Sequence, residues 1–234
     1  MSETEPWLMK RPAADRAVDT FLKDGMIVGL GTGNAAKMAI DRIVSYVSKG
    51  YRLRFVSTSA DTDDYAKKKG FDIADINDVD HIDVTFDGAD EVGPDLNLIK
   101  GLGGALLKEK IVAGLTRMEV IIVDDFKRVD VLGKKTPLPV EVCRYGHVRT
   151  SEALSRLGCI PVLRVKDGKT FITDDGHLIY DCKFPSIDDP KELGKKINNI
   201  PGVVENGLFV DLTYAVESFR EDGTVIELVS GNDK

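Results

Sequence analysis

The chain has 234 residues, a formal net charge of −7, 42% hydrophobic residues and 30% charged residues. That length suits one large domain or one domain with a smaller companion, and the apolar content supports a packed core and excludes a disordered chain. The acidic balance argues against nucleic acid and anionic membrane as partners, because both require a basic face; a small anionic substrate stays open, since a pocket's local field can oppose the net charge.

Cys143, Cys159 and Cys182 are few, odd in number and widely spaced. They fit neither a disulfide framework nor a zinc site, and read as reduced, packed thiols of a cytoplasmic protein. No stretch is long enough to span a membrane, and the N-terminal MSETEPWLMKRPAADR lacks the apolar core of a signal peptide. Trp7 suggests nothing beyond packing.

In chain order, Ala14, Val18, Phe21 and Leu22 recur at helical spacing over 13–24, with Gly25 as the stop. MIVGL (26–30) reads as a buried strand. GTGN follows, then a helix with Ala36, Ile40, Ile43, Val44 and Val47 on its apolar face and Gly50 at its end. LRFVS (53–57) is a second strand, followed by a helix with acids first and lysines last, matching the helix dipole. HIDVTF (81–86) and MEVIIVD (118–124) are a third and fourth strand. Strands alternating with helices predict parallel βαβ units.

The texture changes near Thr136. TPLPVEV is proline-rich and then strand-like, 148–158 is helical, and PVLRV, TFIT and HLIYDC are short strands divided by the turn signals KDGK and DDG. A capped helix over 188–200 and one returning strand, GVVENGLFV (202–210), complete this part. The expected architecture is α/β: a Rossmann-like parallel sheet domain (1–131 and 205–234) with an inserted smaller α+β, ferredoxin-like domain (132–204).

In a parallel sheet the loops after the strands gather at the carboxyl edge, where ligands bind. Three such loops stand out. GLGTGN (29–34) can cradle a phosphate on backbone amides and a helix N-terminus, or can be a tight strand-to-helix turn. Gly31 to Ala36 fits the dinucleotide fingerprint G-x-G-x-x-A, but the next strand ends in Ser57-Thr58-Ser59 rather than in a ribose-holding acid, which disfavours a nicotinamide cofactor. In the second loop, Thr58, Ser59 and Thr62 read as helix caps when taken alone, with phosphate or sugar contacts as the other reading. The third is DGADEVGPDLNLIKGLGGALLKEK (87–110). Its Asp87 and Asp90 directly follow a strand end and can ligate a metal, share a proton or make a turn. Asp95 and Asn97 are turn residues, and Lys100 precedes a GLGG that bends into a helix.

On that helix, at about 100° per residue, Glu109 falls between Ala105 and Val112 on one side and Leu106 and Ala113 on the other. The helix is apolar nearly all round, which predicts burial. A carboxylate in an apolar arc is costly without a partner or a task, and burial raises a carboxyl pKa toward the range of a general base. The competing reading sends Glu109 to solvent at the helix start. His81, His147 and His177 show no ligand spacing and read as structural or exposed.

GLGTGN (29–34), TSADT (58–62), DGADEV (87–92), IKGLGGALLKEKIVA (99–113), DDFKRVD (124–130), TPLPVEV (136–142) and PGVVENGLF (201–209) together resemble ribose-5-phosphate isomerase, type A, in the family's order and over most of the chain. The resemblance implies interconversion of ribose 5-phosphate and ribulose 5-phosphate in the non-oxidative pentose phosphate pathway, with no cofactor and no metal. It implies Glu109 as the base that moves a proton between C1 and C2, Lys100 at the enediolate oxygen, and Asp87 and Asp90 at the sugar hydroxyls and in ring opening. Gly31, Thr32, Gly33, Asn34, Thr58, Ser59, Thr62, Gly88, Ala89, Gly101, Gly103, Gly104 and Lys127 would complete the substrate site. A homodimer or homotetramer, with the small domain in the contacts, is also implied.

Two departures stand out: GTGNA replaces the family's usual GTGST, so Ala35 loses a hydroxyl, and Leu102 interrupts the usual glycine run. An amino-sugar-phosphate isomerase-deaminase would use similar loops but also an acid, often histidine, for ring opening, and none of the three histidines lies near the loops in sequence. A non-catalytic sugar-phosphate sensor would need neither Glu109 nor Lys100.

Overall fold

The computed structural model describes residues 10–230, so Trp7 lies outside the described residues. Along the chain, helix α1 (Arg11–Phe21) leads into strand β1 (Ile27–Leu30), α2 (Asn34–Val47), β2 (Arg54–Ser57), α3 (Ala60–Lys68) and β3 (Ile82–Asp87). Two short strands follow, β4 (Glu91–Val92) and β5 (Leu98–Ile99), then α4 (Leu106–Leu115) and β6 (Thr116–Asp124). Next come β7 (Leu138–Val142), α5 (His147–Ser155), β8 (Ile160–Leu163), β9 (Val165–Lys166), β10 (Lys169–Thr170), β11 (Leu178–Lys183) and α6 (Pro190–Asn198). The described residues end with β12 (Val203–Asn206), β13 (Leu208–Phe209), β14 (Thr213–Phe219) and β15 (Val225–Val229).

The chain forms two compact units. The first comprises the described residues up to Ala89, Lys108–Lys127 and the described residues from Leu212 onward; the second comprises Asp90–Leu107 and Arg128–Asp211. These limits differ from the expected 1–131 and 205–234 against 132–204. Residues 90–107 group with the second unit because β5 pairs with β13 and β4 pairs with β5, a link between segments over a hundred residues apart that local sequence cannot reveal.

The first unit is built on a six-stranded sheet in the order β15-β14-β6-β3-β1-β2. All its pairings are parallel except β14 with β15. Neighbouring residues on β1 and β2 enter different clusters: Val28 and Phe55 join the large core, Ile27 and Val56 a smaller one. Period-two alternation therefore sends them to opposite faces of the sheet. On the large-core face, α1 brings Ala13, Ala14, Ala17 and Val18, and α2 brings Met38, Ala39, Ile40 and Ile43. The small residues of α1 permit close helix packing. On the other face, Val112 of α4 packs with Val56, Val79 and Ile82.

The second unit holds a four-stranded antiparallel sheet, β12-β7-β11-β8. Numbered within the unit, β7-α5-β8-β11-α6-β12 is a β-α-β-β-α-β run in the order four-one-three-two, which is the ferredoxin-like arrangement expected. Leu154 of α5 and Ile197 of α6 pack with Val140, Val142, Leu178 and Tyr180. Two expectations need correction here. TFIT is strand only at Thr170, and the expected single strand over 202–210 is broken at Gly207 into β12, in the four-stranded sheet, and β13, in the sheet β13-β5-β4.

Candidate active site

In the first unit the carboxyl ends of β1, β2 and β3 carry the three loops. Gly31 has no alternative, because a Cβ there would overlap the Asp87 carboxyl group. This close approach lets the Asp87 side chain, 1% exposed, accept hydrogen bonds at Oδ1 from the Thr32 amide (3.0 Å) and the Gly88 amide (2.7 Å). Gly33 has φ of 90° and caps α2 without a side chain. The first-turn amides of α2 therefore keep an N-terminus suited to an anion. Asn34 is exposed there; Ala35 is buried, and a Cβ on Gly88 would lie 3.4 Å from its methyl.

The second loop binds the first. Ser59 caps α3, its hydroxyl accepting from the Thr62 amide at 3.2 Å. Thr58 and Thr62 act otherwise than as caps: the Thr58 hydroxyl meets the Thr32 hydroxyl (2.8 Å) and the Leu30 carbonyl (3.2 Å), and the Thr62 hydroxyl donates to the Gly31 carbonyl (2.7 Å). Both are fully buried, so they fix the shape of the Gly31–Gly33 turn. Lys127 donates to the Ala89 carbonyl at 2.5 Å, while Asp124 forms an ion pair with Lys10 at 3.2 Å.

The chain enters the second unit between Ala89 and Asp90. The Asp90 amide donates to the Ile99 carbonyl (2.8 Å), and its Oδ2 accepts from the Leu102 amide (2.9 Å). Lys100 is 2% exposed; its amide donates to Gly207 (2.9 Å) and its ammonium lies 5.3 Å from the Phe209 ring centre. An aromatic face stabilises a buried cation. Gly101 and Gly104 have φ of 102° and 90°, conformations that side chains rarely adopt, and a Cβ on Gly104 would overlap the Phe171 ring. Gly103 is not among the glycines with positive φ and is exposed.

Glu109 lies in the first turn of α4 and is 4% exposed. The expectation of burial all round the helix is corrected: Leu106, Val112 and Ala113 are buried, but Ile111 and Leu115 are 48% and 37% exposed. Glu109 shares the buried stripe, since 106, 109 and 113 follow helical spacing.

Other polar groups have structural partners. Glu91, fully buried, was not singled out from sequence; it accepts from the amides of Gly133 (2.6 Å), Lys135 (2.7 Å) and Thr136 (2.6 Å). Its position in DGADE, beside Asp90, was the only available signal. His81 faces Asp83, His147 meets the Tyr180 hydroxyl (2.8 Å), and His177 meets buried Glu141 (2.9 Å). Burial pushes the Glu141 carboxyl up, against the opposing hydrogen bonds of His177 and Thr173. Among the described residues no group of three or more His, Cys, Asp or Glu could hold a metal ion, and no helix is long and apolar enough to cross a membrane.

The chain is similar to known proteins over most of its length. The profile of the family Ribose 5-phosphate isomerase A (phosphoriboisomerase A) matches residues 54–223. A relative named ribose-5-phosphate isomerase A from Gloeobacter violaceus is 46% identical, covering 92% of this chain and 94% of that protein. One from Gluconobacter oxydans is 45% identical, covering 95% and 97%. The solved ribose 5-phosphate isomerase of Plasmodium falciparum superposes with a TM-score of 0.92 at 34% identity, covering 97% of this chain and all of that one. A D-ribose-5-phosphate isomerase in complex with phospho-erythronic acid does so with a TM-score of 0.91 at 38% identity, covering 97% and 100%. The chain belongs to the ribose-5-phosphate isomerase A family.

Proposed function

We propose that the chain interconverts D-ribose 5-phosphate and D-ribulose 5-phosphate through an enediolate, with Glu109 as the base and Lys100 as the electrophile. The observation that carries the reading is the burial of the two opposite charges that enolisation needs, Glu109 at 4% exposure and Lys100 at 2%. The ionised Glu109 carboxylate takes the proton from C2 of the open-chain aldose. The C–H electrons form the C1–C2 double bond, and the carbonyl electrons move onto O1. Lys100 stabilises that negative charge, as a preorganised cation does best where water is excluded. Return of the proton to C1 and transfer of the O2 proton to O1 give the ketose.

Asp87, held by the amides of Thr32 and Gly88, and Asp90, held by the amide of Leu102, take the sugar hydroxyls and assist ring opening. The Gly31–Asn34 turn and the start of α2 take the phosphate, with Ser59 and Lys127 beside it; Thr58 and Thr62 support the turn from beneath. The likeness to a relative that binds phospho-erythronic acid supports a sugar-acid and phosphate chemistry of this kind.

The decisive experiment measures ribulose 5-phosphate formation from ribose 5-phosphate with EDTA present. Wild type should be active, and Glu109→Gln should lose roughly 10²–10⁴-fold in kcat while still binding substrate, the usual share of a general base. A folded Glu109→Gln protein with near-normal turnover would remove the assignment. Activity only with amino sugar phosphates would move the chain to the isomerase-deaminase reading.

A cytoplasmic homodimer or homotetramer completes the reading. It is supported by the three free cysteines and by Ile160 and Val162, 68% and 57% exposed on β8, the edge strand of the four-stranded sheet.

A further inference from the structure

Lys100 is followed at once by a loop of unusual backbone, Gly101-Leu102-Gly103-Gly104, and one side chain from a distant strand region grips that loop. Nη1 of Arg164 donates to the Gly101 carbonyl (2.9 Å) and to the Leu102 carbonyl (3.1 Å). Its Nε donates to Oδ2 of Asp181 at 2.9 Å, and its Nη2 donates to Oδ1 of the same carboxylate. The guanidinium also lies 5.8 Å from the Phe171 ring centre, and that ring fills the space a Cβ on Gly104 would need. The Arg164 side chain is 10% exposed. Opposite it, Oδ2 of Asp90 accepts from the Leu102 amide. The Gly101–Leu102 peptide is thus held by Asp90 at its N–H and by Arg164 at its C=O.

This arrangement requires a planar fork. A guanidinium can bridge both oxygens of one carboxylate and still direct another N–H at two carbonyls; an ammonium is a point charge with three donors and cannot do both. We propose that Arg164, oriented by Asp181, is a positioning residue for isomerisation: it fixes the loop whose geometry sets where the Lys100 ammonium stands, without touching the sugar. The inference rests on the reading of Lys100 as the electrophile. A displacement of about 1 Å in such a group is enough to cost on the order of 100-fold in rate.

The test is a double-mutant cycle with Arg164→Met and Lys100→Met, read as kcat and KM for ribose 5-phosphate and as affinity for phospho-erythronic acid, whose carboxylate stands in for the reacting carbons. Arg164→Met should lower kcat by about 10- to 100-fold, weaken phospho-erythronic acid by a similar factor, and change KM less than about threefold. In the Lys100→Met background it should have almost no further effect on kcat, because residues acting as one unit are not additive. Arg164→Lys should fail to restore kcat, and it carries the test should Arg164→Met not fold. An impaired Lys100→Met protein on which the Arg164 substitution multiplies its full effect would overturn the positioning role alone. A Lys100→Met protein with normal turnover would instead overturn the electrophile reading, and this inference with it. Loss of thermal stability with kcat intact in Arg164→Lys would reduce Arg164 to a structural strut.

Discussion

Glu217, on β14, shows how strongly one residue's surroundings can set its chemistry. Its side chain is fully buried, 3.4 Å from the Arg16 guanidinium, and pairs across the strands with Glu227. Burial, then the neighbouring Glu227 carboxyl, pushes Glu217 up to about 8 from 4.5, against the charge of Arg16. The folded protein therefore holds this proton more tightly than the unfolded chain. Its stabilisation is complete below pH 4.5 and declines as the pH rises through 8. Glu217→Gln should melt at least about 3 °C above wild type at pH 8.5 and match it near pH 4.5; a pH-independent difference between the two melting curves would refute this. Glu91 is the contrasting case, a buried carboxylate fully engaged by three amides. In Glu91→Gln the amide nitrogen must face at least one N–H, so urea unfolding should show a loss of about 2–3 kcal/mol. Gly31→Ala must push the Asp87 carboxyl aside. It should lower turnover about 100-fold with the fold retained by circular dichroism. Glycine at 31 and acid at 87 were visible in the sequence; their mutual dependence was not, since 55 residues separate Thr32 from the Asp87 it binds.

At the scale of elements, the segment 202–210 is instructive. Its alternating apolar residues describe one strand, and periodicity cannot show that the chain changes sheets within it. Gly207 is the pivot: its amide donates to Pro139 at 2.8 Å, its carbonyl accepts from the Lys100 amide at 2.9 Å, and a Cβ would overlap the Lys100 carbonyl oxygen. Gly207→Ala should therefore reduce kcat about as much as an error in the Lys100 loop itself, which steady-state kinetics can check. The start of α3 was legible because its signal is local, whereas α1 ends at Phe21 and α5 at Ser155, short of the expected 24 and 158. Ser59 caps α3 as its position before the helix suggests, and Ser59→Ala should cost about 1 kcal/mol in thermal unfolding. The face of α4 was only half legible. Composition showed an apolar helix containing one glutamate, but exposure of Ile111 and Leu115 depends on what the rest of the chain places against it.

At the scale of the molecule, the exposed Ile160 and Val162 on an edge strand carry the prediction about assembly. Light scattering should give a mass of two or four chains, and the double substitution Ile160→Asp and Val162→Asp should lower it toward one. A mass unchanged by the pair would place the contacts elsewhere. The sequence by itself determined the fold class and the family, and it marked the segments proposed to carry the chemistry. Hydrophobic period, glycine at tight turns and the acids and lysine of residues 87–110 are local properties, and local physics writes them into neighbouring residues. Tertiary structure alone decided the limits of the units, the break at Gly207, the roles of Thr58 and Thr62 as supports of another loop, and the hold of Arg164 on the Gly101 and Leu102 carbonyls. Each depends on a hydrogen bond between residues far apart in the chain. Such a partner is chosen by how the whole chain packs, and neither member carries a mark of the other in its own stretch of sequence.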